Sequence, residues 1–141
     1  MKNGGGAFIA VLVLFFTGCK SSVSTAKLEA GKKVYDTNCM GCHMANGKGV
    51  PRMNPPLVNS PYVMGHAPSL IELVLKGSEF FGNADRDYNN LMAPFSALTD
   101  EQIANVTTYI RNTYAKTGDE INAEDVKEVR EKISENVKGS N

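Results

Sequence analysis

Cys39, Cys42 and His43 stand within five consecutive positions, in the stretch NCMGCHMANGKG that covers residues 38 to 49. Two thiols three residues apart, with an imidazole directly after them, can do three kinds of chemistry. They can supply ligands to a zinc ion, exchange disulfides, or form thioethers to a haem whose iron the imidazole binds. Zinc needs four ligands in a tetrahedron, and His43 is adjacent to Cys42 and points elsewhere. No second C-x-x-C exists, and His66 is the only other histidine. A redox C-x-x-C sits beside a βαβ pattern, and no such pattern is present. C-x-x-C-H is the signature of covalent haem attachment, and its spacing has a physical cause. Two thiols must reach two vinyl groups on one edge of a porphyrin, and the next residue must turn inward to meet the iron from one face.

The elements that must position this cluster read as helices joined by long loops. The segment TAKLEAGKKVYDTNC runs into the cluster with Leu28, Gly31, Val34 and Tyr35 at helical spacing. Gly31 in a helix interior costs about 1 kcal/mol relative to Ala, so it predicts close packing against another element. Residues 44–67 are loop-like, with Pro51, Pro55, Pro56 and Pro61. So long an irregular stretch is uncommon unless it wraps around something. APSLIELVLKG predicts a second helix, with Pro68 near its first position and Gly77 just past its end. Residues 77–97 are irregular again. LTDEQIANVTTYIRNTY predicts a third helix, opened by the capping-box pair Thr99 and Gln102 and carrying Ile103, Val106 and Ile110 on one face. No strand-like alternation appears. The expected class is all-α, with a core too thin for its loops unless an apolar body fills the middle, which a porphyrin is.

An iron held by His43 on one face needs a ligand for the other from a distant segment. Met53, Met64, His66 and Met92 are candidates; Met44 is excluded by adjacency. A thioether is a soft ligand that favours the reduced iron and raises the potential. Met92 lies in YNNLMAPFSALTDEQ, a loop just before the capped helix.

Composition is that of an ordinary globular chain, 42% hydrophobic and 21% charged over 141 residues. With 15 basic against 15 acidic residues, no basic face invites nucleic acid. The N-terminal MKNGGGAFIAVLVLFFTGC has Lys2 and then an apolar run, Ala7 to Phe16, too short to span a bilayer but fit for an export signal. Its end, FFTGC, resembles the lipobox of bacterial lipoproteins, with Phe16 where Leu is usual, and predicts lipidation of Cys19. The expected organisation is a signal peptide over 1–18, a lipidated Cys and flexible tether over 19–26, a compact domain over 27–116 and a charged helical extension over 117–141. In that extension Val126, Val129, Ile133 and Val137 recur at helical spacing and predict docking on the domain, a partner-binding helix being the alternative.

From about Leu28 to Tyr114 the chain resembles the small class I c-type cytochromes. GKKVYDTNCMGCH is similar to that family's first helix, whose Gly and aromatic cross the last helix; the counterparts are Gly31, Tyr35 and Tyr109. NPPLVNSPYVMG is similar to the loop whose proline carbonyl accepts a hydrogen bond from the proximal histidine, a role that falls to Pro55 or Pro56, Pro55 being favoured. LMAPFSALTDEQIANVTTYIRN is similar to the distal-ligand loop and last helix, with Ala93 where the family usually has Pro. The resemblance implies three to four helices wrapped around one covalent haem c, thioethers at Cys39 and Cys42, and iron ligands His43 and Met92. It implies a carrier rather than an enzyme, passing single electrons by outer-sphere transfer through the haem edge. Its partners would be a dehydrogenase, a cytochrome complex or a terminal oxidase, and its place a membrane surface facing the periplasm or cell exterior. The competing reading is a haem enzyme or sensor with an open sixth position; a zinc module is remote.

Overall fold

The computed structural model describes residues 23–78 and 88–139. The expected signal segment 1–18 and Cys19 lie outside the described residues, as does the first half of the tether. Among the described residues the secondary structure is helical, apart from an isolated bridge between Val50 and Asn54. No helix among them is long and apolar enough to cross a membrane.

Helix α1, Thr25–Asn38, is opened by the Ser24 side chain, which accepts from the Lys27 amide. Helix α2 is the single turn Met40–His43, continuing α1 after a break at Cys39. Helix α3, Pro61–Met64, follows the proline loop, and helix α4 spans Ala67–Lys76. Helix α5, Asp100–Ile110, is opened by a complete capping box: Thr99 accepts from the Gln102 amide, and Gln102 accepts from the Thr99 amide. Helix α6, Ala123–Lys138, has the same device in Asn122 and Asp125.

Core residues come from four directions. Ile71, Val74 and Leu75 of α4 meet Ile103, Val106 and Ile110 of α5, and Val126 and Val129 of α6 close over them. Tyr35 enters from α1, which crosses α5 at Gly31. A β-carbon added to Gly31 would penetrate the Asn105 carbonyl oxygen and stand 2.6 Å from the Tyr109 β-carbon. The close packing expected of Gly31 is therefore present, and the two backbones touch because no side chain separates them.

Three expectations need correcting. The stretch 44–67 is not all loop, because Ser60 and Pro61 start the short helix α3, too brief for periodicity to reveal. The last helix of the domain is α-helical only to Ile110; residues Arg111–Ala115 widen into a π turn that ends with Lys116 in left-handed conformation, φ 54°. That turn coincides with Arg111, which is buried and donates to the carbonyls of Val63 (2.8 Å) and Gly65 (2.7 Å) and to the Asp119 carboxylate (2.9 Å). Free carbonyls at the end of α3 thus find their donor on another helix. Finally, the apolar stripe of α6 docks on the domain only in part: Val126 and Val129 are buried and Ile133 half-buried, but Val137 is 62% exposed. Between the domain and α6 the packing is continuous, since Ile121 is buried and its amide donates to Thr108.

Candidate cofactor site

The cluster sits where α1 breaks. Cys39 is partly buried and Cys42 exposed, and no disulfide joins them. Burial, with Cys42 alongside, pushes the Cys39 thiol up to about 11. A disulfide-exchanging cysteine needs the opposite, a thiolate stabilised near neutrality. Among the described residues no three His, Cys, Asp or Glu side chains gather to hold a metal ion, which leaves a zinc site at Cys39 and Cys42 without partners.

His43 Nδ1 lies 3.0 Å from the Pro55 carbonyl oxygen. A carbonyl only accepts, so Nδ1 carries the hydrogen and the Nε2 lone pair is left for a metal. Burial pulls the imidazole's pKa down, opposed by that same hydrogen bond, so the ring is held neutral and able to ligate. The backbone just past His43 is fixed by two tyrosines. Tyr35 donates to the Met44 carbonyl (2.6 Å) and Tyr114 to the Ala45 carbonyl (3.1 Å), while their rings pack 5.6 Å apart. Met44 has φ 61° and ψ 158°, a conformation costly for a non-glycine residue, on the order of 1–3 kcal/mol. The Tyr35 hydroxyl holds it there. Sequence reading cast Tyr35 only as a helix-crossing residue; its tie to Met44 spans nine residues and leaves no periodic trace.

Met92 is half-buried against the core, and its backbone is pinned on both sides. Its amide donates to Ser78 Oγ (2.8 Å) and its carbonyl accepts from the Ser78 amide (3.0 Å). Gly77, with φ 74°, permits this approach, because a β-carbon there would strike the Met92 carbonyl. The Phe95 amide donates to the Val74 carbonyl of α4 (3.0 Å). On the other side the Asn89 and Asn90 amides donate to the carbonyls of Arg52 and Met53, and the Asn90 side chain donates to that of Asn54. Asn54 directly precedes Pro55, so the segments carrying the His43 acceptor and Met92 are laced together. Neither Ser78 nor the Asn54–Asn90 pair was visible in the sequence, which shows only polar loop residues there.

The other candidates are differently placed. Met64 ends α3 at 50% exposure, Met53 is 47% exposed, and His66 is exposed at the start of α4. His66 and Tyr88 border a cleft of about 650 Å³ that Pro55, Pro56, Val58 and Tyr62 also line. Pro56 lies in that wall, while Pro55 supplies the carbonyl.

These residues fit a covalent haem. The thiols, the imidazole with a fixed tautomer and the thioether are the donor set such a group takes. No apolar side chain is fully buried in residues 44–60 or 88–98, so Val50, Leu57, Val58, Leu91, Met92, Phe95 and Leu98 keep apolar surface against which a porphyrin can pack.

Known proteins agree. The family model described as Cytochrome c matches residues 28–114. Cytochrome c-552 of Thermus thermophilus is 33% identical over 114 residues, covering 72% of this chain and 85% of that protein. The cytochrome c subunit of a quinone alcohol dehydrogenase from Gluconobacter oxydans is 33% identical over 105 residues, 72% of this chain but only 22% of the subunit. A cytochrome bc1 complex cytochrome c subunit of Mycobacterium bovis matches 35 residues at 49% identity, 25% of this chain and 12% of that protein. With the motif lying inside the matched span, the chain belongs to the cytochrome c family, and its cofactor is one covalently bound haem c.

Proposed function

We propose that this cytochrome is a one-electron carrier, its haem attached through Cys39 and Cys42 and its iron bound by His43 and Met92. The observation that carries the reading is the pair of reciprocal hydrogen bonds between Met92 and Ser78, which fixes the backbone of the thioether-bearing segment without using the thioether itself. When bound, haem c supplies an iron that alternates between two oxidation states one electron apart. The chain's own part is to keep both ligands in place in either state. Pro55 orients His43; Ser78, Val74 and Asn54 hold the Met92 segment. A soft thioether favours the reduced state. Exposed Met40 and Cys42 mark the side on which a redox partner docks. The relatives serving a quinone dehydrogenase and a bc1 complex support a dehydrogenase, cytochrome complex or oxidase as partner.

Haem is expected to stay on the polypeptide through denaturing electrophoresis, visible by haem stain, and the oxidised protein to show the weak near-infrared sulfur-to-iron band. Loss of all haem into acid-acetone overturns the attachment. Binding of carbon monoxide by the reduced protein at a rate set by diffusion would instead favour a sensor or enzyme with an open sixth position.

The same proposal divides the chain into a cytochrome domain over 27–116 and an extension over 117–141, exported by residues 1–18 and anchored by lipid on Cys19. The tether then ends where α1 begins, at Thr25 rather than after residue 26, and it holds the domain at a membrane surface, facing the periplasm or cell exterior. One acyl chain anchors marginally and two or more hold firmly. Cys19→Ser is expected to shift the protein from the membrane pellet to the soluble fraction, or leave it unprocessed, with an unchanged haem spectrum. Wild-type protein found mainly in the soluble fraction would refute the anchor and leave the carrier intact.

A further inference from the structure

The Met92 segment has one tether from outside the cytochrome domain. Arg130, on α6, reaches back more than thirty residues to the far end of the segment. Its Nε donates to Asp100 Oδ1 (2.5 Å), Nη1 to the Ser96 carbonyl (3.0 Å) and Nη2 to the Leu98 carbonyl (2.5 Å). Its position is set by α6 itself, whose Val126, one turn before it, and Val129, directly beside it, are buried against the domain. We propose that Arg130 is a positioning residue for the distal-ligand segment, so that the C-terminal extension controls how often the Met92 thioether leaves the iron.

Three observations carry this. First, Arg130 closes a gap that the other tethers leave. Residues 89–92 are held by the 52–54 loop and Ser78, and Phe95 by Val74, but between Phe95 and the start of α5 the sole backbone–backbone bond among the described residues is the local turn from the Leu98 amide to the Phe95 carbonyl. Second, the three acceptors are spread over five residues, and only a planar fork of donors spans them; a lysine would reach one. Third, the Arg130 and Asp100 side chains are 29% and 32% exposed, so their attraction is not fully screened by solvent. Asp100 is also in the first turn of α5, where the helix dipole favours its carboxylate. The guanidinium thus ties the loop carbonyls to the start of the helix that carries the core.

The proposal rests on Met92 being the distal ligand, and the test separates the two. In the haem-loaded full chain, imidazole captures the oxidised iron only when the distal ligand has left, so its rate reports on segment opening. Arg130→Gln is expected to raise that rate tenfold or more, and Arg130→Lys to fall between it and wild type. Amide exchange at Phe95 and Leu98 should quicken in both variants, while Ile103 and Val106 in α5 stay protected. Phe95 and Leu98 exchanging as in wild type in Arg130→Gln would overturn the clamp, as would equal loosening of α5, which marks a merely structural role. If Arg130→Gln does not fold, Arg130→Lys answers by the same two readouts. Met92→Ala capturing imidazole no faster than wild type would refute the ligand assignment alone, since exchange at Phe95 and Leu98 reports the clamp whichever residue binds iron.

Discussion

Replacing Met92 by Ala is expected to abolish the near-infrared sulfur-to-iron band and lower the reduction potential by on the order of 0.1–0.2 V, a modest part of the ~0.8 V range that axial ligands span. The substitution tests ligation and little else. What fixes the segment is backbone: the Met92 amide and carbonyl bond to Ser78, and neither bond needs the thioether. An alanine there keeps the loop and removes the sulfur. The direction follows from the chemistry of the pair, because a soft thioether stabilises the reduced iron and its loss to water or a hard base favours the oxidised one. Met64→Ala and His66→Ala serve as controls, Met64 standing exposed at the end of α3 and His66 exposed just before α4. Each should leave band and potential as in wild type. A band that survives in Met92→Ala and disappears in Met64→Ala would move the assignment to Met64, whereas a wild type without the band, its potential altered by His66→Ala alone, would move it to His66. Potentiometry and a spectrum of the oxidised protein decide it.

What the sequence made legible was local. Cys39, Cys42 and His43 announce their chemistry because thioether attachment and imidazole ligation demand fixed spacing over five residues. Thr99 and Gln102 announce a helix start for the same reason, and both hydrogen bonds of the box are formed. Gly31 was legible as a contact because a glycine among helix formers needs an excuse. Beyond that range the signal fails. Helix α3 is one turn long, and one turn holds no period. The ties that place Met92, from Ser78, Asn54 and Arg130, join residues 14 to 36 positions apart through polar atoms that any loop or charged helix contains. Arg130 in particular reads in sequence as one charge among many on a solvated face. The stripe Val126, Val129, Ile133 and Val137 shows the opposite error: the pattern is perfect along the helix, but the domain beneath ends before Val137 does.

Gly31→Val is expected to cost about 3 kcal/mol or more of stability and to cut sharply the fraction of protein that acquires haem. Helix propensity alone argues the other way, since replacing an interior glycine by a residue with a β-carbon relieves backbone entropy by up to ~1 kcal/mol. Sterics overrule it. The first new atom lands on the Asn105 carbonyl oxygen and beside the Tyr109 β-carbon, and a carbonyl inside α5 cannot swing away without breaking its helix. Overpacking costs ~1–3 kcal/mol where flexible side chains can yield; here helix backbone must yield, so the upper end applies. Against a typical total of ~5–15 kcal/mol, that is a large fraction. The damage also travels to the cofactor. If α1 backs away from α5, Tyr35 loses its ring contact with Tyr109, 5.4 Å between centroids, and its hydroxyl no longer reaches the Met44 carbonyl that sets the chain direction after His43. Denaturant unfolding of the haem-loaded protein, alongside haem content per polypeptide, measures both effects. Gly139→Ala is the control, because a β-carbon there meets nothing closer than the Glu135 carbonyl at 3.7 Å. Equal midpoints for Gly31→Val and Gly139→Ala would mean that α1 and α5 do not cross at bare backbone, and the route from helix packing to haem attachment would have to lie elsewhere.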